Sequence, residues 1–140
     1  MRRLVPLLLL LCCVATGAVA DDEPLAVIVH PDRREQLDRD DVARIFLARR
    51  RFWDDGTPIV PLNLPAGTAL RERFSREVLH EQSRDLQRHW NEAYFHGVLP
   101  PPVLSSPLAV KRYVAADRNA IGYVPSSVVD DTIRVVLTLP

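Results

Sequence analysis

Leu25-Ala26-Val27-Ile28-Val29, then His30-Pro31-Asp32, then Leu37-Asp38-Arg39-Asp40-Asp41-Val42-Ala43-Arg44-Ile45-Phe46-Leu47, is the stretch that sets the fold class of this chain. Its first five residues are unbroken apolar and partly β-branched, the pattern of a strand buried on both faces. His30-Pro31-Asp32 ends that run. Asp38 stands where an N-cap belongs, and Asp40 and Asp41 fall in the first turn, where acidic side chains suit the helix dipole. Val42, Ile45 and Phe46 recur at helical spacing, predicting a short amphipathic helix to about Ala48. A doubly buried strand handing over to a helix opens an α/β domain.

The rest of the chain continues the alternation. Ile59 to Asn63 reads as a second strand, with Pro58 at its entry and Pro61 inside it, which suits an edge or irregular strand. Pro65-Ala66-Gly67-Thr68 makes a turn, and a helix from Thr68 to about Leu79 carries Leu70, Phe74 and Val78 on one stripe. Ser83 is placed to cap a third helix bearing Leu86, Trp90, Ala93 and Tyr94. Gly97 to Ser105 contains Pro100, Pro101 and Pro102 and is expected to be a loop. Ser106-Pro107 is a cap followed by proline at the first helical position, opening a helix with Leu108, Val110, Val114 and Ala115. Ile121 to Val124 and Ile133 to Leu137 are the last two strands. The expectation is a three-layer α/β sandwich with a mainly parallel sheet, free of repeats and low-complexity tracts.

The N-terminus carries the three parts of a cleavable secretory signal peptide. Arg2 and Arg3 are positive, Leu4 to Val14 is almost wholly apolar, and Ala18-Val19-Ala20 supplies small residues for cleavage. The apolar run falls short of the roughly 20 residues that span a bilayer. A retained anchor is one alternative reading; a lipoprotein built on Cys12 or Cys13 is another, although Leu11 is not the small residue that lipid attachment prefers. Residues 1–20 are therefore expected to be the signal and 21–140 a single domain, outside the cytoplasm, periplasmic and not membrane-spanning after processing. Cleavage after Ala20 leaves 120 of the 140 residues, an ordinary domain size. Both cysteines leave with the signal, so no disulfide is expected. Basic and acidic residues number 18 each, and losing Arg2 and Arg3 tilts the balance to about −2, against a nucleic-acid binder.

Chemical content is highest in Asn63-Leu64-Pro65-Ala66-Gly67-Thr68-Ala69-Leu70-Arg71. A strand passes through a glycine turn into a helix whose first N–H groups, those of Ala69, Leu70 and Arg71, have no carbonyl partner and converge as an anion site. Thr68 can donate its hydroxyl, and Arg71 can add a charged fork if it folds back. The plain alternative is that Thr68 caps the helix and Arg71 is solvated. His30, His80, His89 and His96 lack the spacing of a helical zinc motif, no serine sits in a nucleophile elbow, and the aspartate pairs mark helix starts and turns. No catalytic residue, metal or cofactor is expected. Arg49-Arg50-Arg51 beside Phe52 and Trp53 suits an acidic partner, a lipid headgroup or a sugar, or else is a solvated loop with its aromatics packed on the core. Tyr94 to Pro102 is a second possible contact surface.

Leu25 to Leu137 resembles one lobe, the second, of the phosphate-binding proteins of ABC transporters, type II periplasmic binding proteins. The likeness is carried by the opening strand and helix already quoted and by Phe52-Trp53-Asp54-Asp55-Gly56-Thr57-Pro58-Ile59-Val60-Pro61-Leu62-Asn63 running into Gly67-Thr68-Ala69-Leu70-Arg71-Glu72-Arg73-Phe74. Its third block is Ala115-Ala116-Asp117-Arg118-Asn119-Ala120-Ile121-Gly122-Tyr123-Val124. The resemblance implies a non-catalytic solute-binding component, with Asn63, Gly67, Thr68, Ala69, Leu70 and Arg71 at the anion site. In the family's glycine–serine–glycine–threonine–arginine loop, Ala69 replaces the second glycine and Leu70 removes a hydroxyl. Family members also close two lobes on phosphate, and this sequence has room for one. Binding of phosphate or a similar oxyanion is therefore expected to be weak, with a transporter, a sensor protein or a homodimer as partner. The alternative is an accessory or sensory interaction module that kept the fold and lost the ligand.

Overall fold

The computed structural model describes residues 23–81 and 83–140. The expected signal peptide, its cleavage site and both cysteines lie outside them. Strand β1 (Leu25–Val29) has all five residues buried. Helix α1 (Arg39–Phe46) begins at the expected cap: the Asp41 N–H donates to Asp38 Oδ1 at 2.8 Å and the Asp38 N–H to Asp41 Oδ2 at 3.2 Å. That reciprocal pair satisfies two donors which the helix cannot serve itself. Next come β2 (Val60–Pro61), α2 (Ala69–Phe74), a π-helical turn (Ser75–Leu79) and α3 (Ser83–Phe95). Helix α4 (Pro107–Ala116), capped by Ser106, leads into β3 (Ala120–Pro125), and β4 (Arg134–Leu139) ends the chain.

The sheet order is β2-β3-β1-β4. Its pairing is mixed, which corrects the expectation of a mainly parallel sheet: β1 runs antiparallel to both β3 and β4, and only β2 and β3 are parallel. Alternation of strands with helices suggests parallel neighbours, yet β1 pairs with β3 and β4, each running opposite to it. Burial needs only a covering layer on each side, whatever the strand direction.

Neighbouring residues of β3 identify the two layers. Gly122 faces α4 so closely that a β-carbon there would lie 2.4 Å from Val110 Cγ1. Tyr123 points to the opposite face. It stacks on Phe74 with ring centres 4.0 Å apart and meets Phe46 edge-on at 5.8 Å. Helix α4 thus covers one face and α1 with α2 the other, making the expected three-layer α/β sandwich.

A buried arginine ties the loops at one end together. The Arg33 Nε–H donates to the Arg118 carbonyl at 2.8 Å. Its Nη1 reaches Asp55 at 2.9 Å and Glu35 at 3.2 Å, and its Nη2 reaches Thr57 Oγ1 and Asn119 Oδ1 at 2.7 Å each. The guanidinium lies over the ring of Trp53, which is itself buried and donates Nε1–H to the Asn119 carbonyl. Trp53 is therefore a packing residue, whereas Phe52 is more than half exposed.

Candidate functional site

Strand β2 ends against the loop before α4, where Asn63 bridges Val103 in parallel: its N–H donates to the Pro102 carbonyl, and its carbonyl accepts from Leu104. That clamp fixes the point at which the chain leaves the sheet. Leu64 is buried, and Pro65-Ala66-Gly67 then turns the chain into α2, with Gly67 at φ +83°. A side chain is strained there, so glycine is the residue the turn requires.

The structure brings Asn63 and Arg71 together around a single peptide. Asn63 Oδ1 accepts from the Leu64 N–H at 3.1 Å and also from the Tyr123 hydroxyl. Arg71 folds back, as one of the two sequence readings required, and donates from Nη1 to the Leu64 carbonyl at 2.8 Å. A cation is thereby held where strand gives way to helix. Burial pushes the Tyr123 phenol well above its ordinary range, so this hydroxyl stays a neutral donor.

Gly67 and Thr68 are placed differently. The Thr68 hydroxyl makes no cap; it donates to the Pro65 carbonyl at 2.8 Å, and the Thr68 N–H goes to the same oxygen at 3.2 Å. The Gly67 N–H donates to the Glu72 carboxylate at 3.3 Å. A side-chain anion of the protein thus takes a main-chain donor of the turn. Ala69, Leu70 and Arg71 form the first turn, and the Glu72 N–H is the first to close on a carbonyl, that of Thr68 at 3.0 Å. Amides in the three preceding positions have no carbonyl within a helix to bond. Ala69 is exposed, and Leu70 and Arg71 are half-buried.

Sequence reasoning overlooked Tyr123 and Glu72. Tyr123 lies in the core of β3, 60 residues from the asparagine it bonds, and nothing local marks it. Glu72 carried a signal, being an acid in the first turn of a helix, where the dipole draws carboxylates as readily as external anions. His89 is used internally, its Nε2 lying 3.0 Å from the Leu47 carbonyl. Among the described residues, no three His, Cys, Asp or Glu side chains group as a metal site would need.

No protein-family profile matches the sequence, and no curated protein matches it. Solved structures do. A phosphate-bound structure from Clostridium perfringens, assigned as a phosphate ABC transporter substrate-binding protein, superposes with a TM-score of 0.67 at 22% identity. It matches over 81% of this chain and 44% of its own. The fold is that of one PstS-like lobe. An ABC-type phosphate transport receptor from Vibrio cholerae gives 0.65 at 19% identity, over 81% of this chain and 45% of its own. PstS from Borrelia burgdorferi gives 0.63 at 11%, over 81% and 46%. The chain therefore spans less than half the length of these PstS-like neighbours. No helix among the described residues is long and apolar enough to cross a membrane.

Proposed function

We propose that the protein is an exported, periplasmic, non-catalytic solute-binding component that holds phosphate or a similar oxyanion weakly at the turn from Gly67 to Arg71. The observation that carries this reading is the folded-back Arg71, whose bond to the Leu64 carbonyl holds a guanidinium at the strand end that leads into the Gly67 turn. Asn63, locked to Tyr123 and Leu64, fixes the strand end against which the anion would rest. Support for phosphate over other anions comes from the fold shared with phosphate-transport proteins, one of them solved with phosphate bound.

Weak binding follows from three features. Ala69 keeps a ligand from approaching the backbone closely, the Thr68 hydroxyl is spent on Pro65, and Glu72 repels an incoming anion from 3.3 Å beyond the Gly67 nitrogen. An open site also leaves the anion hydrated on one side, where each charged contact contributes about 1 kcal/mol or less. Millimolar affinity is the expectation, about 4 kcal/mol short of micromolar binding. A transporter, a sensor protein or a second copy of the chain would supply a second wall.

Calorimetric titration with phosphate tests this. Saturable heat in the millimolar range is expected, abolished by Arg71→Ala and strengthened several-fold by Glu72→Gln, which removes the competing charge. Absence of saturable heat in both the parent protein and Glu72→Gln would sink the ligand proposal. The accessory or sensory docking module would then be the reading left. The internal bonds made by Gly67 and Thr68 favour that second reading, as do the exposed Tyr94 and Phe95 at the end of α3.

A further inference from the structure

A cleft of about 490 Å³ opens between the end of α1, the approach to β2 and the proline loop before α4. Its size falls within the range of small-molecule sites, and its lining is mostly apolar. Phe46 and Ile59 are buried and form the floor, while Phe52 and Leu99 stand 54% and 68% exposed at the rim. Five prolines (Pro58, Pro61, Pro100, Pro101 and Pro102) make up much of the wall. Proline is rigid and has no N–H to donate, so at these positions the main chain offers a ligand only carbonyl acceptors. Such a wall suits a ligand that asks for no hydrogen bonds along its length.

Two arginines complete the lining, and they differ. Arg50 is neutralised by Asp54 at 3.0 Å and Asp41 at 3.4 Å. Arg51 is exposed and makes no ion pair or side-chain hydrogen bond among the described residues. Its backbone is nevertheless fixed, because the Arg51 carbonyl accepts the Ile59 N–H at 2.9 Å. An uncompensated guanidinium carried by a fixed stretch of backbone at the lip of an apolar cleft complements an acid head on a hydrocarbon tail.

The geometry points to this cleft as a binding site for a single-chain anionic amphiphile, its alkyl chain laid along the prolines and its acid head on Arg51. The site is separate from the Gly67–Arg71 turn and does not depend on oxyanion binding there. Each methylene removed from water should tighten binding by up to about fourfold, so affinity should follow chain length.

Amide shifts of the 15N-labelled protein, titrated with decanoate below its micelle concentration, test the site. Saturable shifts are expected at Phe52, Ile59, Val98 and Leu99, with octanoate at least threefold weaker and decanol, which lacks the charge, also weaker. Arg51→Glu and Leu99→Asp change exposed side chains, and each should weaken decanoate about tenfold or more while leaving the melting temperature unchanged. Phosphate should not compete. Shifts confined to another face, no saturation, or an unaltered affinity in Arg51→Glu would overturn the assignment. So would sedimentation as a dimer whose cleft amides broaden with protein concentration, since a second copy would then be the occupant.

Discussion

Arg33 and Asp55 show how much one buried fork can organise. Five acceptors drawn from positions 35 to 119 converge on the Arg33 guanidinium, and Arg134 adds bonds to the Arg33 and Glu35 carbonyls. Arg33→Ala would strand those acceptors, and we expect it to cost about 3–5 kcal/mol. Arg33→Lys should also destabilise, because a point charge cannot reproduce the planar fork; urea unfolding checks both. The same cluster predicts a pH dependence. The hydroxyl and N–H of Thr57 hold the Asp55 carboxyl down to about 2, with Arg33 adding to the effect against the opposing influence of desolvation. Lys111 and then Thr132 hold Asp130 at about 2 as well. A carboxyl depressed in the folded state stabilises above its unfolded value near 3.8 and loses that contribution as pH falls toward 2. The urea midpoint should therefore drop between pH 4 and 2, and drop less in Thr57→Ala.

At the scale of elements, legibility followed distance along the chain. The start of α1 at Asp38 and that of α4 at Ser106-Pro107 were readable, because a cap and the residues it serves lie within one turn. Thr68 carried the same signal, yet Pro65 stands three residues back and its carbonyl takes the hydroxyl. The helix expected to run from Thr68 to about Leu79 holds, but its second half is wound as a π-turn, which no periodicity announced. Arg33 was silent in the sequence, since its partners Asn119 and Arg118 are 86 and 85 residues away. Strand direction was silent for a related reason: antiparallel pairing of β1 with β3 and β4 is a property of the assembled sheet. Packing between β3 and α4 leaves no room for a side chain at Gly122. Gly122→Ala would set a methyl against the stiff, buried Val110, and should cost about 1–3 kcal/mol. Val110→Ala in the same chain should restore part of that loss, measurable as a double-mutant cycle in thermal unfolding.

The described residues have the fold of one PstS-like lobe, and the chain spans less than half the length of each of these neighbours. Asn63, Leu64 and Arg71 form a bonded cluster at the strand end, while Gly67 and Thr68 are engaged by Glu72 and Pro65. That division gives the proposed site a cation and a set of helix-start amides, and sets an internal carboxylate against them. Crystals grown in high phosphate test the balance most directly. Tetrahedral density on the Ala69, Leu70 and Arg71 amides and the Arg71 guanidinium, with Glu72 moved off the Gly67 nitrogen, is the predicted result. Glu72 still bonded to Gly67 beside an empty turn, in well-ordered density, would contradict it.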